Sequence, residues 1–193
     1  MTSNYETKRE LGHWKPEHVP KYHEWMQSPF LREMTASEPL TLEQEYEMQR
    51  SWHVDENILA KPEVSHELTN QEIKSAKMIG DVNLFFNDSD NPSIAEIEIM
   101  IAEQSYRRSG LAKNALLLMF HYAINKLNVT KFIAKISTNN QPSIQLFTRK
   151  FDFVEMSFSN IFNEHSLELV ANEEIKKKVD DSMRGKFVTR SYD

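Results

Sequence analysis

A short basic turn around Gly110 has the residue types of a phosphate-binding loop. The chain has only four glycines among its 193 residues, and Gly110 separates an apolar strand-like run, Ile97 to Ala102, from an apolar helical run, Leu111 to Leu127. The first turn of a helix offers unpaired backbone N–H groups and the positive end of the helix dipole. We therefore predict a phosphate or pyrophosphate site formed by Arg107, Arg108, Ser109, Gly110, Leu111, Ala112 and Lys113. A glycine before a helix is also typical of an ordinary turn, so the flanking sequence is needed to distinguish a phosphate site from a turn.

Two carboxylates lie shortly before this turn on a predicted strand. Over residues 95–102 the alternation places Ile97, Ile99 and Ile101 on one face and Glu96 and Glu98 on the other. Such alternation is typical of a strand with one solvated face, which is the simpler interpretation. Two like charges at neighbouring positions on one face would raise one pKa, which suits a general base acting on an ammonium group. We therefore predict Glu96 and Glu98 as catalytic carboxylates, with a solvated strand face as the alternative.

Asn140 stands before a second apolar helical segment that reaches Phe147. Asparagine is a preferred N-cap residue, and Pro142 suits the first turn of a helix. Capping and contact with a ligand are compatible roles for Asn140, so both remain open.

Composition narrows the class of protein. The chain is 39% hydrophobic and 27% charged, which is typical of a globular protein, and its net charge of −6 argues against nucleic acid as a partner. The absence of cysteine excludes disulfides, zinc–thiolate sites and a cysteine nucleophile. The seven histidines have no spacing that suggests a metal site, and no apolar run is long enough for a membrane span. Without a signal-peptide pattern over residues 1–15, we expect an intracellular, cytoplasmic protein.

The predicted elements alternate between strands and helices in the manner of an α/β domain with a mixed sheet. A helix that joins two parallel strands leaves a crevice at their carboxyl ends, where ligands bind. We expect an irregular arm over residues 1–16, one domain over 17–170 and a charged tail, solvated or a frayed helix, over 171–193, with a linker or loop at 53–76. The predicted helices are His18 to Met26, Thr41 to about Trp52 (opened by a capping box of Thr41 and Gln44), Leu111 to Leu127 and Asn140 to Phe147. The predicted strands are Met78 to Phe86, Ala95 to Ala102, Lys131 to Ile136, and a hairpin of Phe153 to Phe162 with Ser166 to Val170.

Several of these segments resemble the GNAT acetyltransferase superfamily. Arg107-x-x-Gly110-x-Ala112 resembles its acetyl-CoA pyrophosphate loop, and Asn140-x-x-Ser143-x-x-Leu146-Phe147 resembles the block that follows the pantetheine arm. Longer blocks within residues 17–170 resemble the N-acetyltransferase 9 family: 20–26, 35–46, 79–85, 96–103 and 140–144.

The resemblance implies a GNAT-like mixed central sheet flanked by helices. It also implies acetyl-CoA as co-substrate, no metal, and transfer of the acetyl group to an amine, which we expect to belong to a protein. It assigns the general base to Glu96, with Glu98 second, and carbonyl polarisation to the N–H groups of Met100, Ile101 and Ala102. It places Asn140 and Ser143 along the pantetheine arm. Phe147 stands where many members have the tyrosine that protonates the leaving thiolate. Whether the acceptor is an α-amine or a lysine is left open.

The chain departs from the family pattern at its predicted sheet edge. Neither Arg9 to Lys15 nor Asp55 to Pro62 is an apolar strand, so we expect the first two edge strands of the family to be missing or divergent. Their loss would leave Met78 to Phe86 unpaired, which predicts self-association through an exposed edge, or cover by the N-terminal arm. The divergent strands, Phe147 in place of a tyrosine and Asp152 in place of a glycine together allow a second interpretation. In it the chain is a CoA-binding module with little or no turnover, which docks a partner protein on its first helices. We favour the enzyme, because general acid assistance is worth only about 10²–10⁴-fold in rate.

Overall fold

A computed structural model describes residues 11–13, 16–49, 56–59 and 76–184. Its sheet has seven strands in the order β1-β2-β3-β4-β5-β7-β6, and every neighbouring pair is antiparallel except β4–β5. The mixed α/β sheet is therefore confirmed. The strands are β1 (Leu11–His13), β2 (Glu56–Leu59), β3 (Met78–Phe85), β4 (Ile94–Ile101), β5 (Lys131–Ser137), β6 (Val154–Ser159) and β7 (Glu164–Val170). The helices are α1 (Val19–Met26), α2 (Pro29–Thr35), α3 (Leu42–Gln49), α4 (Leu111–Lys126), α5 (Gln141–Lys150) and α6 (Glu173–Met183), with short 3₁₀ turns at Pro16–His18 and Gln104–Tyr106.

Helix starts follow their sequence signals closely. The Thr41 N–H donates to Gln44 Oε1 at 2.9 Å and the Gln44 N–H donates to Thr41 Oγ1 at 3.3 Å, which confirms the predicted capping box. Helix α2 was not predicted, although Ser28 accepts a hydrogen bond from the Leu31 N–H at 3.4 Å and a proline follows it at the first helical position. Its seven residues are too few to show a clear helical period.

Apolar side chains pack on both faces of the sheet. The larger core lies under α4, where the Phe120 ring meets Phe132 at 4.7 Å and Phe151 at 5.1 Å between centroids. A smaller core on the opposite face joins α1 and α2 to the sheet through Trp25, Met26, Leu31, Met78, Met100 and Ala102. Ile97, Ile99 and Ile101 belong to the larger core, so Glu96 and Glu98 lie on the face of α1 and α2, as the alternation predicts.

The two parallel strands pair over a short stretch and then separate. Their register runs Ile94↔Lys131, Ala95↔Phe132 and Glu96↔Ile133, although β4 continues to Ile101 and β5 to Ser137. Within these two strands the ladder therefore ends at Glu96, and a gap opens toward their carboxyl ends.

The first two edge strands were predicted to be missing or divergent, and the structure shows that they are not missing. Strand β2 pairs with β3 from Glu56↔Val82 to Leu59↔Met78, and β1 pairs with the outer side of β2. Strand β3 is thus an interior strand, which removes the unpaired edge on which self-association at Met78 to Phe86 was predicted. Strands of three and four residues can pair through their backbones without the apolar run by which sequence patterns recognise a strand.

Two segments that were expected to be irregular contain strands, and the expected tail begins with a helix. Strand β1 lies within the predicted N-terminal arm and β2 within the predicted linker, of which residues 53–55 and 60–75 are outside the described residues. Residues 173–183 of the expected tail form α6, where Asn172 accepts a hydrogen bond from the Ile175 N–H at 2.9 Å. Val179 is buried, and Ile175 and Met183 pack against the larger core.

Candidate functional site

The gap between β4 and β5 contains a cavity of about 210 Å³. Residues of β3, β4 and β5, the first turns of α5, and the end of α2 line it. Of the predicted site residues, Glu96, Glu98, Met100, Asn140, Ser143 and Phe147 are brought together here. Thirteen other lining residues were not predicted, among them Tyr22, Asp81, Asn83, Lys135 and Glu164.

The backbone of β4 directs alternate N–H groups into this gap. The Ala102 N–H donates to the Ile79 carbonyl at 2.9 Å, and Met100 pairs with Asp81 two positions earlier in the same ladder. Antiparallel alternation then turns the N–H groups of Met100 and Ala102 toward β3, and those of Ile99 and Ile101 toward β5. Of the three donors expected to polarise a carbonyl, only Ile101 points into the gap, and Ile99 is a donor that the sequence argument missed.

Glu96 is held by two side chains at the start of the gap. Its Oε2 accepts hydrogen bonds from Lys135 Nζ at 2.8 Å and from Asn87 Nδ2 at 3.1 Å, and only 13% of the side chain is exposed. The hydrogen bond to Glu96 raises the pKa of Lys135 above its usual value, and the charges of Glu164 and Glu98 add to the effect. Lys135 thus adds a cation to the pair of carboxylates from which the sequence argument predicted a general base.

The acidic lining continues onto β3. Glu98 lies opposite Asn83 in the β3–β4 register, and Asn83 Nδ2 donates to Asp81 Oδ2 at 3.0 Å. Asp81 is only 4% exposed, so a buried carboxylate stands beside the two predicted ones. Period-two alternation along β3 was the available signal, since it places Asp81 and Asn83 on one face of that strand.

Arg107 fastens the basic turn to the end of β4. Its Nε donates to the Ile101 carbonyl and its Nη2 to the Ala102 carbonyl, both at 2.8 Å, while the guanidinium lies 5.1 Å from the centre of the Phe30 ring. These bonds occupy donors that were expected to contact phosphate. The Arg107 side chain is thus placed to shape the turn, a role that sequence spacing alone does not reveal.

The remainder of the turn retains the features of an anion site. Arg108 and Gly110 adopt positive φ values of 62° and 81°, and Gly110 occupies the N-cap position of α4. Because Gly110 has no side chain, this helix lacks a side-chain N-cap. The Ser109 hydroxyl donates to the Tyr106 carbonyl at 2.6 Å, which tightens the loop.

Asn140 has the capping role that its sequence position suggested. Its Oδ1 accepts a hydrogen bond from the Ser143 N–H at 3.2 Å, and its Nδ2 donates to the Met34 carbonyl at 3.3 Å. The cap therefore also joins α5 to the end of α2. Phe147, buried to 2% exposure, packs edge-on against Phe153 with ring centres 5.0 Å apart.

Glu103, two residues after the end of β4, connects this end of the sheet to α1. Its carboxylate accepts hydrogen bonds from Trp25 Nε1 at 3.0 Å and Lys77 Nζ at 2.6 Å, and Lys21 Nζ lies 3.3 Å away. Its hydrogen bond with Lys77, followed by that with Trp25, lowers the pKa of Glu103 to about 2. Sequence reasoning missed this residue, because its partners are distant in the chain.

Comparison with known proteins identifies the family. A family model described as an acetyltransferase (GNAT) domain matches residues 9–150. The chain belongs to the GNAT acetyltransferase family.

Named relatives agree with the GNAT assignment. An N-acetyltransferase 9-like protein of Nematostella vectensis is 53% identical over 163 residues, covering 82% of this chain and 81% of the relative. The alpha/beta-tubulin-N-acetyltransferase 9 of Mus musculus is 48% identical over 164 residues, covering 83% of this chain and 68% of the relative. A solved spermidine N-acetyltransferase of Vibrio cholerae, in complex with CoA and spermine, has a TM-score of 0.67 at 16% identity over 85% of this chain and 96% of its own.

This GNAT chain is an N-acetyltransferase that moves acetyl from acetyl-CoA to an amine, and the predicted resemblance is confirmed. The alternative of a module without turnover is not favoured by relatives that are named as enzymes. Among the described residues, no group of three or more His, Cys, Asp or Glu side chains could hold a metal ion. No helix of the described segments is long and apolar enough to cross a bilayer.

Proposed function

We propose that acetyl-CoA lies across the β4–β5 gap and donates its acetyl group to an amine of a protein, with Glu96 as the proton acceptor. The observation that carries this proposal is that the two parallel strands separate after Glu96. The gap between them has backbone N–H groups of β4 beside a carboxylate, and the chain that leaves β4 enters the first turn of α4. A thioester in the gap would contact the N–H groups and the carboxylate, and the diphosphate of the same molecule would reach the first turn of α4.

The diphosphate is assigned to the first turn of α4. Support comes from the positive φ of Gly110 and from the lack of a side-chain cap, since a phosphate would then supply acceptors for those N–H groups. Arg108 and Lys113 bring positive charge to the same turn, while Arg107 shapes it from beneath.

The N–H groups of Ile99 and Ile101 are assigned to the thioester carbonyl. Donors fixed in a strand need no reorganisation when negative charge develops on that oxygen. Asn140 and Ser143 would lie along the pantetheine arm, with Phe147 below it as an apolar contact.

Transfer would proceed by direct attack, because the chain has no cysteine to carry the acetyl group. The acceptor ammonium loses a proton to Glu96, the neutral amine attacks the carbonyl carbon, and the thiolate leaves. Phe147 cannot donate a proton, so water would carry the second proton of the amine to the thiolate. Glu98 is the second carboxylate, and its exposed position suits the entry of a cationic acceptor.

A protein acceptor is supported by the names of the relatives. Those from Mus musculus, Homo sapiens and Drosophila melanogaster are called alpha/beta-tubulin-N-acetyltransferase 9. We therefore propose α/β-tubulin as the acceptor to test first, and with it a cytoplasmic site of action. The acidic lining of Asp81, Glu96, Glu98 and Glu164 suits an amine that arrives as an ammonium group.

Calorimetric titration of CoA tests the cofactor half. We expect Gly110→Trp to weaken CoA binding by about tenfold or more, since it blocks the turn that would hold the diphosphate. Asn128→Trp is the matched control, because Asn128 also has a positive φ of 58° but follows the opposite end of α4. Equal CoA affinity for wild type and Gly110→Trp, with both proteins folded, would reject the diphosphate assignment.

Thiol release in the presence of tubulin tests the catalytic half. Glu96→Gln should lower kcat by about 10²–10⁴-fold, with CoA affinity unchanged. Glu98→Gln should cost less, because Glu98 is the more exposed of the two. Full activity of Glu96→Gln between about pH 6 and 9 would remove Glu96 as the base. Product mass spectrometry then decides between an α-amine and a lysine.

A further inference from the structure

Lys135 occupies a position that the proposed mechanism requires of an acceptor amine. Its Nζ lies 2.8 Å from Oε2 of Glu96, the proposed proton acceptor, and it lines the same cavity as Ile99, Ser143 and Phe147. Lys135 lies on β5, the strand that forms the other wall of the gap. We propose that the protein acetylates its own Lys135, an inference that rests on the proposed function of this site.

Proximity supports this reaction. An amine that already hydrogen-bonds to the base, and is tethered to the cavity wall, reacts without the entropic cost of bringing in a second molecule. The Lys135 side chain is 46% exposed and already lines the cavity, so its amine is accessible while it pairs with Glu96. An ammonium group from another molecule would have to displace Lys135 from Glu96, or share Glu96 with it.

The step balances without a further reactant. Glu96 takes one proton from the Lys135 ammonium, and the neutral Nζ attacks the thioester carbonyl carbon. A C–N bond forms, the C–S bond breaks, and CoA departs with the electron pair as a thiolate, which takes up the second amine proton. The products are Nε-acetyl-Lys135 and CoA thiol, and Glu96 returns its proton to water.

Acetylation would change the charge of the site. Glu96, Glu98 and Glu164 all act on the Lys135 ammonium, and these carboxylates would lose their shared cation. The raised pKa of Lys135 keeps its amine protonated near neutral pH, so the self-acetylation rate should rise with pH. The modified cavity would be more acidic and would attract a cationic acceptor more strongly.

Lys131 provides an internal control. It lies four positions earlier on β5, on the same face, and pairs with Glu168 at 2.9 Å. Its side chain is 34% exposed, against 46% for Lys135, so the two amines have similar access to solvent. Uncatalysed reaction with acetyl-CoA would therefore label both, whereas reaction at the site would favour Lys135.

Incubating the full chain with isotope-labelled acetyl-CoA and mapping the label by mass spectrometry tests the proposal. We expect label at Lys135 about tenfold or more above Lys131, with a rate constant that does not depend on protein concentration. Glu96→Gln should reduce Lys135 to the level of Lys131. Lys135→Arg, which keeps the cation beside Glu96, should remove that label, and Lys131→Arg should leave it unchanged.

Two outcomes would overturn the inference: equal labelling of the two lysines, and a rate constant that increases with protein concentration. The proposed function is judged separately. CoA binding and acetylation of tubulin without label at Lys135 would reject self-acetylation alone, whereas failure to bind CoA would reject the proposed function itself.

Discussion

Replacing Glu103 by glutamine removes one charge from the junction of α1, the start of β3 and the end of β4. Glutamine keeps an oxygen that can accept the Trp25 indole hydrogen bond, but it loses the charged contacts with Lys77 and Lys21. We expect the variant to fold with a lower free energy of unfolding at neutral pH, because Lys77 then loses this carboxylate and Lys21 retains only its contact with Glu24.

The magnitude follows from the low pKa of Glu103. A pKa of about 2, in place of the ordinary 4.5, corresponds to about 3 kcal/mol of preferential stabilisation of the charged form. Because the Lys77 side chain is 52% exposed, solvent screens part of this, and about 2 kcal/mol is the better expectation. The folded-state pKa is depressed, so this stability is present above about pH 4.5 and is lost as the pH falls toward 2.

Urea denaturation of wild type and Glu103→Gln, at several pH values between about 7 and 3, measures the effect. The difference between the two proteins should shrink as the pH falls below about 4.5. Glu24→Gln is the matched control, since Glu24 also pairs with Lys21, at 2.9 Å, but its side chain is 69% exposed. That control should lose about 0.5 kcal/mol or less. A cost for Glu103→Gln that is equally small, or that does not change with pH, would refute the reasoning.

Three further substitutions test single contacts. Gly80→Ala should lower the free energy of unfolding by about 1–3 kcal/mol, because a Cβ at Gly80 would overlap the Met100 carbonyl oxygen; an unchanged urea midpoint would contradict this close approach. Thr41→Ala should cost about 1 kcal/mol in the same assay through loss of the α3 cap, whereas Thr41→Ser should remain near wild type. Arg107→Lys should lower the free energy of unfolding in the same assay by about 1–2 kcal/mol, because lysine lacks the planar fork whose Nε and Nη2 donate to the Ile101 and Ala102 carbonyls; a loss no larger than that of Arg108→Lys would argue against this structural role.

Local sequence patterns determined most of the individual elements. The Thr41 and Gln44 capping box, the alternation along β4 and the glycine before α4 each describe interactions within a few residues. Such interactions are set by backbone geometry and neighbouring side chains, so they can be predicted without the fold. The same local blocks carried the resemblance to GNAT acetyltransferases, which the family match over residues 9–150 confirms.

Tertiary structure decided the pairing of strands and the chemical surroundings of the site residues. Strands β1 and β2 are too short for an apolar pattern. Their pairing depends on backbone edges, since β2 pairs with β3 and β1 pairs with β2. Lys135 reaches Glu96, and Trp25 reaches Glu103, across wide intervals of sequence that only the folded sheet brings together. The N–H groups that face the gap also depend on the register between β3 and β4 and on the point where β4 and β5 separate. Sequence thus predicted site residues from local patterns, whereas long-range packing determined which side chains line the cavity and which atoms each of them meets.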